Sequence, residues 1–170
     1  MAGGLGKTGQ SVLGIDPGSR LCGYGVIDGN GKYLASGTIK MSPGKPLHIR
    51  LGELHEGLVS VIEEFSPGSA SVEKVFFAKS VRAALTLGHA RGVAMLALVN
   101  AGVEVFEYSP LEIKKAVTGH GKADKRQVQA MVRQILGLDF SPSPDGADAL
   151  AMAICHRSRD EFRKVIRDAS

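Results

Sequence analysis

The opening of this chain constrains its fold more than any other stretch. From Ser11 it reads Ser-Val-Leu-Gly-Ile-Asp, a short apolar run that ends in a carboxylate and breaks at once into the turn-forming Pro17-Gly18-Ser19. Two more strand-like stretches follow, Leu21 to Ile27 and Tyr33 to Ile39, separated by the turn signal Asp28-Gly29-Asn30-Gly31. Three short strands joined in this way predict an antiparallel meander. Helical periodicity then takes over. Leu47, Leu51, Leu54, Leu58, Ile62 and Phe65 recur at steps of 4, 3, 4, 4 and 3 behind Pro46, which suits a first helical turn. After Ser66-Pro67-Gly68, the pattern predicts a strand from Ala70 to Phe77, a long Ala-, Leu- and Gly-containing helix from about Val81 to Ala101, and a strand from Val103 to Tyr108. A short helix from Pro110 to Val117 and a loop from Gly119 to Ala123 lead to Asp124. That residue can cap a helix carrying Val128, Met131, Val132, Ile135 and Leu136. A last helix begins near Pro144. Strands first, then alternating helices and strands, imply an α/β sandwich with a mixed sheet.

With 170 residues, 44% hydrophobic and 22% charged, the chain can bury one ordinary core and is too apolar to be disordered. The Gly-rich residues 1–10 read as a flexible leader, 11–158 as one domain, and 159–170 as a charged tail. The stretch ending Gly6-Lys7-Thr8 imitates a phosphate-binding loop, but Met1 stands where that pattern needs Gly and no strand precedes it. The longest wholly apolar run, Val93 to Val99, is far short of the roughly 20 residues that cross a bilayer. No membrane is therefore expected, and the protein is expected to be soluble and cytoplasmic. Cys22 and Cys155 have neither metal-binding spacing nor a disulfide framework, and read as small buried side chains. No Trp and 5% aromatics argue against a stacking platform for single strands.

Charge is unevenly spread. Lys114, Lys115, Lys122, Lys125, Arg126 and Arg133 face only Asp124 within 113–133, a net of +5 in a chain whose total is +4. Such a strip suits a phosphate backbone, although a solvated helix face with its flanking loop explains it equally well.

Four carboxylates stand where packing alone would not place them. Asp16 ends an apolar strand, and Glu73 lies inside Ser-Val-Glu-Lys-Val-Phe-Phe, where a central strand favours apolar residues. Asp145 and Asp148, three apart on a helix, are turned only about 60° from each other. Ala147, Leu150, Ala151 and Ile154 cluster about 140° away, so the helix is expected to bury one side and present two acids on another. Each acid also has a plainer explanation: a turn, an edge position, or the favourable dipole at a helix start. Together they suit Mg²⁺ or Mn²⁺, because clustered carboxylates repel one another unless a cation neutralises them. Two divalent ions would balance four charges. Such a pair can activate a water on one side of a phosphodiester and stabilise the leaving oxygen on the other.

These residues fall in blocks that closely resemble the bacterial RuvC Holliday junction resolvases, within the RNase H-like nucleases. The blocks are Leu-Gly-Ile-Asp-Pro-Gly-Ser-Arg with Gly-Tyr-Gly-Val (13–26), Val-Glu-Lys-Val-Phe-Phe-Ala-Lys (72–79), Leu-Gly-His-Ala-Arg-Gly-Val-Ala (87–94), Gly-Lys-Ala-Asp-Lys-Arg-Gln-Val (121–128) and Asp-Gly-Ala-Asp-Ala-Leu-Ala (145–151). They follow the family's order from Ser11 to about His156. The resemblance implies an RNase H-like fold with a five-stranded mixed sheet flanked by helices. It also implies a homodimer and metal-dependent nicking of opposite strands at a four-way DNA junction, with two Mg²⁺ per site and Mn²⁺ as a substitute. By motif match, Asp16, Glu73, Asp145 and Asp148 fall on the family's catalytic, metal-holding carboxylates. Phe76 falls on an aromatic that unstacks bases, and Lys114 and Lys125 on basic residues tied to DNA binding or catalysis. Lys122 and Arg126, from the basic strip, join them as expected DNA contacts. RuvA and RuvB are the implied branch-migration partners.

The helix expected from Val81, with Gly88 and Gly92, could pack on a partner or on the sheet. His89, His120 and Ser69-Ala70-Ser71 depart from the commoner family pattern, where Gln, a smaller or amide residue, and a segment with an Asp are frequent. Three rival readings share parts of this pattern: a YqgF-type nuclease acting on ribosomal RNA, an actin-like phosphate-binding ATPase, and a junction-binding protein without chemistry.

Overall fold

In the computed structural model, which describes residues 10–74 and 80–169, the meander forms as the strand patterns predict. Strands β1 (Val12–Asp16), β2 (Leu21–Ile27) and β3 (Tyr33–Lys40) pair antiparallel, and Asp28 Oδ1 accepts from the amides of Asn30 (2.9 Å) and Lys32 (2.8 Å) to close the second turn. Helix α1 (Leu47–Phe65) leads to β4 (Ser69–Glu73), and α2 (Val81–Asn100) to β5 (Glu104–Tyr108). Then come α3 (Pro110–Thr118), α4 (Lys125–Ile135) and α5 (Pro144–Asp168). The sheet order is β3-β2-β1-β4-β5, with β4 parallel to both β1 and β5. The expected five-stranded mixed sheet is present. The strand expected to reach Phe77 ends as β4 at Glu73; Phe76 lies outside the described residues, as do residues 1–9 of the expected leader. The charged stretch after Arg157 is helical, the last turns of α5.

Alternation along the strands divides the core in two. Leu13, Ile15, Cys22, Val26, Ala70 and Val72 face α1 and α2, with Leu54, Leu58, Ala94 and Leu98. Val12, Ile27 and Tyr108 face α3, α4 and α5, with Ile113, Val128, Val132 and Leu150. Both cysteines are buried and free.

Glycines set how near α5 comes to the sheet. Gly14 pairs with Gly25, and Asp16 with Gly23. A Cβ at Gly14 would overlap the Ala149 carbonyl, and one at Gly23 would overlap the carbonyl of Asp145. An added methyl gains about 0.8 kcal/mol by burial, while forcing a packed helix aside costs about 1–3 kcal/mol. Glycine therefore wins here on packing.

This approach corrects one expectation. α5 does not bury a single side: Gly146, Ala147 and every residue from Ala149 to His156 are buried, Met152, Ala153 and Cys155 included. The helix lies between the sheet and the α3–α4 layer, so two opposite faces are covered at once. Only its exposed end beyond His156 reads as an ordinary surface helix.

A second difference concerns α2, which is long and apolar enough by composition to cross a membrane. The longest strictly apolar run hides this, because single polar residues interrupt it. In the fold, α2 packs Ala90, Ala94, Ala97 and Leu98 into the core as a layer on the sheet.

Candidate active site

The parallel insertion of β4 beside β1 brings two strand ends to the same end of the sheet, between the edge strands β3 and β5. Register pairs Ile15 with Val72, so Asp16 and Glu73 follow as the next residues on neighbouring strands. Because Ile15 and Val72 both point to the α1–α2 side, period two turns Asp16 and Glu73 toward α5. There α5 presents Asp148 a turn from its start. Ser143 caps that start, accepting from the Gly146 amide at 3.2 Å and meeting Thr38 Oγ1 at 3.2 Å, which ties the helix end to β3. Asp16, Glu73 and Asp148 line one cavity of about 200 Å³ with Lys114 and Lys125, over an apolar wall that includes Ile113, Val128 and Met152. Asp145 is not among the residues that line it; its backbone lies against Gly23 and its charge is felt by Asp16.

The electrostatics are those of crowded like charges. Burial pushes the Asp16 carboxyl up to about 7, and the charges of Asp148, Glu73 and Asp145 push it the same way against the pull of Lys125. Burial also raises Glu73, with Asp148 adding to the shift and Lys114 opposing it. Lys125, at the first turn of α4, places Nζ 2.7 Å from Asp148 Oδ2, and that hydrogen bond holds its ammonium above the usual lysine range. Its place follows from the Asp124–Gln127 capping box, which fixes where α4 begins.

The donors are hard oxygens in a half-buried pocket where Lys114 and Lys125 only partly offset the carboxylates. They fit Mg²⁺ or Mn²⁺ in kind. They are gathered but not closed into a ligand set: among the described residues, no three His, Cys, Asp or Glu side chains stand close enough to hold one ion. The ammonium of Lys125 stands on Asp148 instead.

The basic strip divides. Lys114 and Lys125 turn into the acid-lined cavity, Lys122 and Arg126 are exposed beside it, and Arg133 is spent on the carbonyls of Leu138 (3.1 Å) and Asp139 (3.4 Å). His89 is exposed on α2, and His120 is exposed with its carbonyl accepting from Thr118 Oγ1 at 2.8 Å. Asp124, read as a helix cap, is the sequence signal for the start of α4. Nothing in sequence signalled that Lys125 would meet Asp148.

Another polar cluster lies along the same sheet face. His156 is buried between Tyr108 and Ser69, whose hydroxyls meet Nδ1 at 2.8 Å and Nε2 at 3.0 Å, and it stacks on Phe106 at 4.3 Å. The cavity of about 260 Å³ beside it is lined by the ion pairs Arg157–Glu161 and Lys164–Asp160 together with Glu104 and Arg167, so acids and bases are present in equal number.

A family model for crossover junction endodeoxyribonuclease RuvC matches residues 12–156. Proteins of that name are similar along most of their length. The one from Pseudoalteromonas translucida is 50% identical over 163 residues, spanning 94% of this chain and 93% of its own. The one from Desulforamulus reducens is 48% identical over 149 residues, spanning 85% and 91%. Among solved structures, Thermus thermophilus RuvC in complex with Holliday junction substrate aligns with a TM-score of 0.83 at 37% identity, over 90% of this chain and 96% of that one. The yeast mitochondrial Holliday junction resolvase Ydc2 aligns over 96% and 85% with a TM-score of 0.61; at 12% identity it shares the fold alone.

Proposed function

The chain belongs to the RuvC family of crossover junction endodeoxyribonucleases and is an endonuclease of four-way DNA junctions; within that activity, we propose metal-dependent paired nicking of opposite strands at the acid-lined cavity. The carrying observation is the convergence of Asp16, Glu73 and Asp148 in one half-buried pocket, with Asp145 near enough for its charge to act on Asp16 and exposed basic residues in the same strip. Asp16, Glu73, Asp145 and Asp148 would hold two Mg²⁺ ions, or Mn²⁺ in their place, which when bound activate water and stabilise the leaving oxygen.

The chain's own groups do the rest. Burial and repulsion raise the Asp16 carboxyl to about 7, and a bound cation would favour its ionised form. Lys125, whose ammonium stands on Asp148, would be free to meet the attacked phosphate once Asp148 held a cation, with Lys114 at the other wall. Lys122 and Arg126 meet neighbouring phosphates of the backbone, and Phe76 wedges the unstacked bases. Hydrolysis in line leaves a 5′-phosphate and a 3′-hydroxyl.

Two symmetry-related cuts call for a twofold protein. Its interface falls on α2, where Val81, Leu85, Gly88, Gly92, Leu96 and Val99 are all exposed at steps of 4, 3, 4, 4 and 3, one apolar stripe with a flat centre. A protein that sediments as a monomer at micromolar concentration would remove this homodimer. We place the activity in the cytoplasm, which suits two free buried thiols, and RuvA and RuvB as its branch-migration partners rest on family membership.

The test compares a mobile four-way junction with a linear duplex, in Mg²⁺ and in EDTA. Paired nicks are expected in the junction with Mg²⁺ only, and Asp145→Asn is expected to bind the junction without cutting it. Equal cutting in chelator, or wild-type cutting by Asp145→Asn, overturns the reading.

A further inference from the structure

The acid-lined cavity opens toward α5, but one of its strand acids is also held from the other side of the sheet. Glu73 is the last residue of β4 and lies one step past the final β1–β4 pair, Ile15 with Val72. On its other side it still opposes Tyr108, and the next amide, Lys74 N–H, donates to the Tyr108 carbonyl at 2.8 Å. The Glu73 carbonyl accepts from Nε of Arg91 at 3.2 Å. Arg91 comes from α2, on the face away from α5, and its Nη2 pairs with the carboxylate of Glu107. Glu107 belongs to β5 and points to the α2 side, because its neighbours Phe106 and Tyr108 point to the other. Ala90 and Ala94, buried on either side of Arg91 in sequence, let α2 come close enough for the guanidinium to reach the sheet.

We propose that Arg91 is a positioning residue for Glu73. Its planar fork spans a main-chain carbonyl and a carboxylate, and both contacts are directional. The peptide plane after Glu73 is rigid; with its N–H held by Tyr108 and its C=O by Arg91, the Cα–Cβ direction of Glu73 is fixed where β1 no longer pairs with β4. Arg91 thus replaces the missing strand neighbour. A partly exposed ion pair with Glu107 contributes little to stability, so its main consequence is orientation. A displacement near 1 Å of a group serving the reaction costs on the order of a hundredfold in rate.

This proposal rests on Glu73 serving cleavage, and the experiment separates the two. Junction cleavage, Mn²⁺ binding by calorimetry, and junction affinity in EDTA are measured on the full chain. Arg91→Gln is expected to lower kcat about ten- to a hundredfold and to raise the Mn²⁺ dissociation constant, with junction affinity and KM within about twofold of wild type. Arg91→Lys keeps a charge opposite Glu107 without the fork and is expected to recover only part of the loss. In a Glu73→Gln background, Arg91→Gln is expected to add nothing to the loss of Mn²⁺ affinity, because one acts through the other.

Wild-type kcat and Mn²⁺ affinity in Arg91→Gln overturn the proposal. So does a loss of thermal stability, junction affinity and rate together, or an equal further loss of Mn²⁺ affinity in the Glu73→Gln background, since either marks a general brace. If Arg91→Gln does not fold, Arg91→Lys carries the same measurements. Wild-type cleavage by Glu73→Gln removes the premise and the proposal with it. An inactive Glu73→Gln beside a fully active Arg91→Gln sinks only the role given to Arg91.

Discussion

Two polar clusters lie between α5 and the same face of the sheet, about 12 Å apart along the helix from Asp148 to His156, and they have opposite characters. Around His156, every contact complements its neighbour: two hydroxyls meet two ring nitrogens, and an aromatic face covers the ring. Around Asp16, carboxylates face carboxylates, and the two lysines, Lys125 on Asp148 and Lys114 at the far wall, offset them only in part. Burial is common to both. What differs is satisfaction: a buried polar group with its partners in place fixes structure, whereas like charges held together by a rigid fold keep a demand that only something from outside can meet.

The sharpest way to break this contrast is Asp16→Asn. Cleavage of a four-way junction in Mg²⁺ is expected to fall by a thousandfold or more, about 4 kcal/mol in the barrier, while the urea midpoint in EDTA at pH 8 rises because a repelled charge is gone. Retained cleavage would show that the crowding at Asp16 is incidental.

Next comes His156→Ala, with the reverse signature. It opens a cavity and strands the buried Tyr108 hydroxyl, at a cost of about 3 kcal/mol, while kcat per folded molecule stays that of wild type. A comparable loss of kcat would mean the two clusters are coupled.

The smallest effect is in pH. Burial lowers His156 from 6.5 to about 4, with Arg163 and Lys164 acting the same way against Asp160. Between those values the unfolded chain takes up a proton that the folded one refuses, so this group removes stability as pH falls through the window. Asp16 is raised from 3.8 to about 7, so over that window the unfolded chain loses a proton the folded one keeps, and this group removes stability as pH rises. The two oppose each other from about pH 4 to 6.5. In EDTA, Asp16→Asn is therefore expected to make stability rise more steeply with pH there than in wild type, and His156→Gln to make it rise less steeply. Each change is bounded by about 1.4 kcal/mol per pH unit. Parallel curves for wild type and both variants would remove the contrast.

Much of this was legible beforehand, and the particular failures are instructive. Period two places Asp16 and Glu73 on one face once their strands are adjacent, and a three-residue step places Asp145 near Asp148. The periodicity of α5 predicts burial on one side because its alanines and cysteine are ambiguous by sequence, and only the α3–α4 layer on its far side settles them. The basic strip read as one surface, yet Lys125 points at Asp148 and Arg133 closes a loop. Arg91 carries no local sequence signal, since its two partners lie 18 residues upstream in Glu73 and 16 downstream in Glu107.

By itself, the sequence determined which segments are strands and which are helices, where most of them begin, and which residue types could serve a phosphodiester, because periodicity, caps and side-chain chemistry are local. Tertiary structure alone decided that β4 enters beside β1, that α5 is covered on both sides, and that Asp16 holds its proton near neutrality. Those depend on the distances between remote charges and on the exclusion of water, which arise only when the chain packs on itself.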